Sequence, residues 1–191
     1  MITLEDLEQT RSLLTGHFRL SSGLHSDRYL QCARLLMYPE RAERAGRALA
    51  DRLREFAPDV VVSPALGGIV IGHETARGLR TPALFAERRD GVFVFRRGFG
   101  FEPGARAVVV EDVLTTGKST RETAEAAEAD GARVVGVGAI LDRGVPEGAF
   151  QVPHRSLLSL TLSAWPESDC PLCAEGIALD TPGSRFQDAP P

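Results

Sequence analysis

The sequence has little that would indicate a membrane-bound, secreted or nucleic-acid-binding protein. No segment approaches the roughly 18 consecutive apolar residues of a membrane-spanning helix. Residues 1–14 carry charged side chains where a signal peptide has an apolar core. The formal net charge is −4, so the chain lacks the excess of basic residues that favours non-specific contact with nucleic acid. These absences predict a soluble, cytoplasmic protein without membrane or nucleic-acid partners.

Cysteine is also scarce, and its spacing restricts the metal sites that the chain can form. Cys170 and Cys173 make one C-x-x-C pair, and Cys32 is remote from them in sequence. A zinc ribbon needs two such pairs, although His154 could supply a further ligand. We favour the simpler interpretation of two tail cysteines in a reducing compartment, and we predict no metal site belonging to the protein itself.

Lysine is almost absent, since Lys118 is the only one among 22 lysine and arginine residues. It lies in the stretch VVVEDVLTTGKST, residues 108–120, whose Gly-Lys-Ser ending is typical of a nucleotide-binding P-loop. The P-loop pattern also requires a glycine at the position that Asp112 occupies. Together with Glu111, this carboxylate would repel the phosphates of ATP, so the sequence does not indicate a P-loop.

Short apolar runs recur through the middle of the chain, with helical patterns between several of them. Continuous runs of this kind are typical of strands buried on both faces of a parallel sheet. They predict strands over 59–63, 82–86, 106–110 and 133–141, with helices over 69–79 and 119–130. Asp90-Gly91 is a turn signal before residues 92–95 and predicts an exposed hairpin or mobile loop. The pattern indicates one α/β domain, which suits a chain of 191 residues.

Further signals predict elements nearer the two ends of the chain. A Thr3–Asp6 capping box predicts the start of a first helix, which ends at Gly16. Short strands follow within 17–37 around a turn at Ser22-Gly23, and a second helix starts at Pro39. A late strand is predicted over 155–162, with Leu158, Leu160 and Leu162 on one face. Residues 163–191 are rich in Pro, Gly and Ser, which favours loops.

The stretch around Lys118 has the chemistry of a site for a sugar phosphate. Residues 115–119 supply hydroxyl groups and one ammonium, and Ser119 with Glu122 forms a capping-box pattern that predicts a helix start, where amide N–H groups bind phosphate. Glu111 and Asp112 lie at the carboxyl end of the preceding strand, where open α/β sheets bind ligands. Carboxylates there suit a ligand with hydroxyl groups. The alternative for the acid pair is the start of a solvated loop.

The stretch VVVEDVLTTGKS resembles the signature of the type I phosphoribosyltransferases, in which two acids precede Thr-Thr-Gly-x-Ser. In that family the acids bind the ribose hydroxyls of 5-phosphoribosyl 1-pyrophosphate (PRPP), and the following loop binds its 5-phosphate. The resemblance implies that PRPP contacts Glu111, Asp112, Val113, Leu114, Thr115, Thr116, Gly117, Lys118 and Ser119. It also implies that Arg88 and Arg89 close over the pyrophosphate, with Asp112 and Arg89 as catalytic residues.

Three further stretches resemble the orotate phosphoribosyltransferases of that family, namely residues 13–30, LDRG at 141–144 and the tail at 170–185. This resemblance implies that Arg143 meets the orotate carboxylate, and we expect Tyr29 and Thr115 beside the base. An arginine at the end of a buried strand suits a bidentate bond to a carboxylate, and a tyrosine can stack on the pyrimidine ring. The alternatives are a salt bridge from Arg143 to Asp142, and a plain core position for Tyr29.

The resemblance also implies a reaction and an assembly. The reaction transfers the phosphoribosyl group from PRPP to orotate, giving orotidine 5'-monophosphate and pyrophosphate for pyrimidine (UMP) biosynthesis, with Mg²⁺ carried by PRPP. The implied fold is a mostly parallel central sheet flanked by helices. Residues 1–191 form one domain, in which residues 1–37 and part of the tail make a hood over the active site. The implied assembly is a homodimer with shared active sites.

The chain departs from the family pattern where the pyrophosphate binds. The family commonly has lysine at the positions of Ser21 and Gly67, and a further lysine and a histidine in the loop that follows Arg88 and Arg89. Two alternative functions therefore stay open. One is a purine phosphoribosyltransferase, whose bases have no carboxylate for Arg143 to meet. The other is a regulator that senses PRPP, although no separate nucleic-acid-binding stretch is evident.

Overall fold

The computed structural model describes residues 2–20 and 22–182. Ser21, and residues 183–185 of the tail resemblance, lie outside the described residues. The strands are β1 (Leu13–Arg19), β2 (His25–Leu30), β3 (Val60–Pro64), β4 (Ala83–Arg89), β5 (Val92–Phe95), β6 (Arg106–Leu114), β7 (Arg133–Asp142) and β8 (His154–Ser159). The α-helices are α1 (Leu4–Gln9), α2 (Ala33–Leu36), α3 (Pro39–Leu53), α4 (Gly67–Leu79), α5 (Lys118–Ala129) and α6 (Pro171–Ala174). In this part of the chain, no helix combines the length and the apolar character needed to cross a membrane.

The central sheet has the strand order β5-β4-β3-β6-β7-β8. Neighbouring strands are parallel except β4 and β5, which form an antiparallel hairpin at one edge. Asp90 and Gly91 make the hairpin turn at φ values of 50° and 88°, the positive values that a tight hairpin requires. The prediction of an α/β fold with a mostly parallel sheet flanked by helices is confirmed.

Both faces of the central sheet are buried, because alternate residues of its strands pack into different clusters. Val61, Val108 and Val110 pack with side chains of α3 and α4, whereas Val62 and Val109 lie in the cluster that includes α5. Burial on both faces explains why the strands have continuous apolar runs. The carboxyl ends of the parallel strands consequently form one edge, where the connecting loops meet.

Strands β1 and β2 form a separate antiparallel sheet, to which the tail of the chain is bound. The backbones of His25 and Trp165 exchange hydrogen bonds of 2.8 and 2.9 Å. The N–H of Asp180 donates to His17 O at 2.8 Å, and the N–H of Arg19 donates to Asp180 O at 2.9 Å. We call β1, β2 and the bound tail the hood. That the hood covers the active site stays a prediction.

The first helix is shorter than predicted. It begins at the expected capping box but ends at Gln9 rather than at Gly16. Arg11 adopts a left-handed conformation with φ of 55°, which prevents the helix from continuing. Leu13 and Leu14, whose spacing suggested a helix, are successive residues of β1, where one is buried and the other half-buried.

The late strand also differs from the prediction, because β8 ends at Ser159. Of the three leucines predicted on one face, only Leu158 lies within the strand, and the buried residue is Leu157. The N–H of Leu160 donates to the carbonyl of Asp142, the last residue of β7. Pairing between β7 and β8 stops there because β7 ends at Asp142.

Candidate active site

Strand β6 carries the acid pair within the sheet. The strand continues to Leu114, beyond the predicted end at residue 110, because Glu111, Val113 and Leu114 keep pairing with β7. Glu111 is buried, with 8% of its surface exposed, and Asp112 is half-buried. The acids therefore belong to a buried strand and not to a solvated loop.

The first turn of α4 lies directly against the two acids. A Cβ atom at Gly67 would lie 3.0 Å from Asp112 Oδ2, and a Cβ atom at Gly68 would lie 3.2 Å from Glu111 Oε1. Glycine at both positions lets the backbone at the start of α4 approach the carboxylates closely. It also means that these two positions provide no cationic side chain beside them.

Burial of two adjacent carboxyl groups raises the pKa of both. Burial raises the pKa of Glu111 to about 9, with repulsion from Asp112 as the second cause. Burial likewise raises the pKa of Asp112. In the described residues, no positively charged side chain contributes to either shift. At neutral pH the pair therefore holds a proton, and a ligand that stabilises the charged form would release it.

The chain between β6 and α5 forms an exposed polar loop at the amino end of α5. The side chains that it presents to solvent are Thr115, Thr116, Lys118 and Ser119. Helix α5 begins at Lys118, and its N-cap Gly117 has no side chain to cap it. The N–H of Lys118 donates to Thr116 Oγ1 at 3.3 Å, and the first turn contains no acidic residue. Uncapped N–H groups, hydroxyls and an ammonium converge here, which is the chemistry that binds a phosphate monoester.

The predicted capping box at the start of α5 is wrong. Ser119 is already helical, because Gly117 occupies the N-cap position with φ of 70°. Glu122 forms ion pairs instead, with Arg88 and, at 3.9 Å, with Lys118. A side-chain cap would have occupied N–H groups that a phosphate needs, so its absence favours ligand binding.

Two residues that the sequence analysis missed hold this loop in place. Arg121 Nη1 donates to Thr116 O at 2.9 Å. The ring of Phe150 packs against Gly117 so closely that a Cβ atom there would lie 2.8 Å from Phe150 Cζ. Arg121 follows Gly117 at a helical i,i+4 spacing, which is a usable signal. Phe150 is distant in sequence and has no such signal.

Arg143 lies just after β7, beside the start of the exposed polar loop at residues 115–119, which we call the phosphate loop. Its backbone N–H donates to Leu114 O at 2.9 Å. Burial lowers the pKa of the guanidinium, and its buried Nε atom has no hydrogen-bond partner within residues 2–20 and 22–182. Asp142, the alternative partner, instead accepts from the N–H groups of Gly144 and Val145, each at 2.8 Å. Arg143 therefore offers a buried donor to an anion at this edge of the sheet.

The two arginines of the hairpin have different surroundings. Arg88 pairs with Glu122 of α5, and its guanidinium lies 4.2 Å from the centre of the Phe93 ring. Arg89 is exposed over 67% of its side chain, and among the described residues its one ion-pair partner is its neighbour Asp90, at 3.6 Å. The structure thus fixes Arg88 against α5 and leaves Arg89 in solvent, with neither in an ion pair to the acid pair.

Two residues near the amino-terminal sheet complete the description. The half-buried Tyr29 packs on Phe18, with ring centroids 5.8 Å apart, and its contact with a base stays a prediction. Cys32 is fully buried, and burial together with the charges of Asp112 and Glu111 raises the pKa of its thiol well above the usual range. Cys32 therefore lies close to the acid pair, which its isolated position in the sequence did not indicate.

Comparisons with known proteins agree with this geometry. The family model described as the phosphoribosyl transferase domain matches residues 32–167. The orotate phosphoribosyltransferase of Thermotoga petrophila is 50% identical over 181 residues, covering 95% of this chain and 97% of the relative. The crystal structure of orotate phosphoribosyltransferase from Aeropyrum pernix superposes with a TM-score of 0.68 at 26% identity, covering 83% of this chain and 94% of that chain. The Mycobacterium tuberculosis enzyme, solved in complex with PRPP, gives a TM-score of 0.64 at 26% identity, with coverages of 82% and 94%.

The matched region contains the acid pair, the phosphate loop and Arg143, and the chain belongs to the phosphoribosyltransferase domain family. Within that family, half of the aligned residues are identical to those of an orotate phosphoribosyltransferase over almost the full length of both chains. The chain is therefore a member of the orotate phosphoribosyltransferases, which confirms the resemblance seen in the sequence.

The raised pKa of Glu111 predicts a specific pH dependence of stability. The pKa is about 9 in the folded protein against an ordinary value of 4.5, so the unfolded chain loses this proton first as pH rises. Below pH 4.5, Glu111 makes its full contribution to the free energy of unfolding. Between pH 4.5 and about 9 this contribution falls by at most about 1.4 kcal/mol per pH unit. Urea denaturation at several pH values should show a shallower fall for Glu111→Gln than for the wild type.

Glu128→Gln is the matched control, because Glu128 is an exposed glutamate of α5. This variant should keep the wild-type slope. Equal slopes for Glu111→Gln and the wild type would show that Glu111 ionises normally, and the description of the acid pair would then be wrong.

Proposed function

We propose that the protein transfers the phosphoribosyl group from the Mg²⁺ complex of PRPP to orotate, forming orotidine 5'-monophosphate and pyrophosphate. The observation that carries this proposal is the buried acid pair next to an uncapped helix start at the carboxyl edge of the sheet. One group of residues suits hydroxyls and the other suits a phosphate, and a ribose 5-phosphate presents both. Because the product is a pyrimidine nucleotide, the reaction belongs to pyrimidine (UMP) biosynthesis in the cytoplasm.

The acid pair and the loop position the sugar from its two ends. The carboxylates of Glu111 and Asp112 accept hydrogen bonds from the ribose hydroxyls, while residues 115–119 bind the 5-phosphate. The bond to pyrophosphate breaks at C1 as the ring nitrogen of orotate attacks, and positive charge develops on the ribose. Fixed carboxylates beside that ring stabilise the developing charge without reorganising.

Arg143 gives the site its preference for orotate over other bases. Its buried Nε has no protein partner, and the neighbouring Asp142 is occupied by backbone N–H groups. A planar carboxylate would satisfy the guanidinium with two parallel hydrogen bonds. Purine bases have no such group, so they would leave the buried Nε of this half-buried cation unpaired. This difference favours orotate over the purine alternative.

In the pyrophosphate half of the site Arg88 and Arg89 supply positive charge, whereas Ser21 and Gly67 supply none where the family commonly has lysine. Arg89 is free in solvent and can move with its hairpin, and we propose that it closes over the pyrophosphate with Arg88. Arg88 would then exchange its ion pair with Glu122 for one with the substrate. Mg²⁺ carried by PRPP offsets the charge on the leaving group. We further propose that the hairpin serves the site of a second subunit, so that a homodimer shares its active sites.

Asp112→Asn tests the role of the acid pair, because it keeps the shape of the side chain and removes its charge. We expect turnover to fall by about 10² or more, the scale expected for loss of one preorganised electrostatic group. The assay mixes protein, Mg²⁺, PRPP and orotate and follows the loss of orotate absorbance. Asp130→Asn at the C-cap of α5 is the control and should match the wild type. Unchanged turnover in Asp112→Asn would reject the assigned role, and wild-type turnover of hypoxanthine or adenine but not of orotate would reject the proposed base.

Arg143→Ala tests the recognition of the base separately from that of the sugar. Loss of a charged hydrogen-bond donor should raise the KM for orotate by about 10- to 100-fold and leave the KM for PRPP within about twofold. Arg133→Ala is the matched control, because Arg133 is an exposed residue at the opposite end of the same strand, β7. Steady-state kinetics with each substrate varied in turn would distinguish the two effects. An equal rise in both KM values would contradict the assignment.

A further inference from the structure

Four side chains that can bind a transition metal meet inside the hood, away from the acid pair. They are His17, His25, Cys170 and Cys173, and their ligand atoms all lie within 4.8 Å of one another. Both histidines and Cys170 are buried, with exposures of 3%, 2% and 3%, while Cys173 reaches the surface. Nothing in the proposed transfer reaction uses these four residues, which indicates a separate role.

The fold brings the four residues together from distant parts of the chain. The pairing of β1 with β2 is irregular between Thr15 and Phe18, and such a bulge re-aims side chains, so that the successive residues His17 and Phe18 are both buried. The two cysteines come from α6 and its N-cap. The backbone hydrogen bonds that tie the tail to β1 and β2 hold α6 over the histidines.

The distances within the cluster suit a tetrahedral ion. Zn–N bonds of about 2.0 Å and Zn–S bonds of about 2.3 Å place two nitrogens about 3.3 Å apart and a nitrogen and a sulfur about 3.5 Å apart. His17 Nε2 lies 3.0 Å from His25 Nδ1. Cys170 Sγ lies 3.5 Å from His17 Nε2, and Cys173 Sγ lies 3.7 Å and 3.2 Å from the two nitrogens. Each observed separation is within about half an ångström of the edge of a zinc tetrahedron.

The hydrogen bonding of His17 fixes the tautomer that a metal requires. His17 Nδ1 lies 2.7 Å from the carbonyl oxygen of Ile177, which can only accept, so Nδ1 carries the proton. The lone pair of His17 is consequently on Nε2, the atom that faces His25 and both cysteines. Metal-binding histidines generally donate their other N–H to a carbonyl or carboxylate in this way.

We propose that His17 Nε2, His25 Nδ1 and the thiolates of Cys170 and Cys173 bind one zinc ion that fastens the tail to the amino-terminal sheet. Four protein ligands leave no open position, which is typical of a structural and not a catalytic zinc site. Soft thiolates with imidazole nitrogens exclude Mg²⁺ as the preferred ion and favour zinc. His154, which the sequence analysis weighed as a partner of the two cysteines, lies against Asp142 instead, at 3.3 Å.

This site links two parts of the hood that the peptide chain leaves far apart. Phe18, the neighbour of His17, packs on Tyr29, the residue expected beside the base. The ion would thus hold the β1–β2 sheet, the tail and the predicted base-binding ring in one unit. The inference stands on its own geometry, and its test uses metal content, so it does not depend on the proposed transferase activity.

The first measurement is the metal content of the wild-type protein, purified without chelator from cells grown with added zinc. Elemental analysis should find about one zinc per chain. Protein stripped of metal and loaded with Co²⁺ should show the intense visible bands of a tetrahedral ion and a thiolate-to-cobalt charge-transfer band. Because both readouts use the unaltered chain, failure of a variant to fold cannot obscure them.

Variants then assign the ligands. Cys170→Ser, Cys173→Ser and His25→Ala should each weaken zinc affinity at least about tenfold in competition with a chelator of known affinity, since removal of even an outer neighbour of a metal ligand costs that much. Cys32→Ala and His73→Ala remove a cysteine and a histidine outside the cluster and should keep full zinc content. A chelator should lower the Tm of the wild type and of both controls, and added zinc should restore it.

Two outcomes would show that these residues bind no zinc, and a third would show that the zinc lies elsewhere. One is wild-type protein that carries no zinc and takes up neither zinc nor Co²⁺ in reduced form. The other is a disulfide between Cys170 and Cys173, found by mass spectrometry in freshly purified protein that binds no metal after reduction. Equal zinc loss in the ligand variants and in the two controls would show that the zinc is not bound by this cluster.

Discussion

Two adjacent carboxyl groups, Glu111 and Asp112, lie at the carboxyl end of a buried strand, and no cationic side chain of the described part of the chain contributes to their pKa shifts. Ionising both in this place is unfavourable, because burial and mutual repulsion act in the same direction. The surrounding residues keep this arrangement available to a ligand. Gly67 and Gly68 bring the backbone close to the acids, and one short loop separates the acids from the amino end of α5. A ligand with hydroxyl groups at one end and a phosphate at the other would make ionisation of the two acids more favourable.

The sequence predicted the parts of the structure that local chemistry determines. The apolar runs predicted the strands of the central sheet, because each run is buried on both faces. The acids and the phosphate loop could be placed together because one strand end carries both. The helix end predicted at Gly16 and the capping box predicted at Ser119 were wrong, since Arg11 and Gly117 adopt left-handed conformations that those patterns did not anticipate. Contacts between distant segments, such as Phe150 on Gly117, have no local signal at all.

The residues of the proposed zinc site in the hood are also distant in sequence, so local patterns could not predict that they meet. One C-x-x-C pair was a weak signal for a metal, because its two partners lie some 150 residues earlier in the chain. Only the antiparallel sheet and the hydrogen-bonded tail show that His17 and His25 face the cysteines. In this part of the molecule the proposed zinc ion would add to the backbone hydrogen bonds that bind the tail, whereas the central sheet is held by two apolar layers. The reacting groups and the hood thus depend on different kinds of interaction.

The most direct test of the acid pair is the number of protons released when Mg²⁺–PRPP binds. Calorimetry at about pH 7 in two buffers of different ionisation enthalpy measures this number for the wild type and for Glu111→Gln. Hydroxyl donors and a nearby cation should lower the pKa of Glu111, so the wild type should release up to about one proton more than the variant. Equal proton release, with binding intact in both proteins, would show that the ligand does not engage the acid pair.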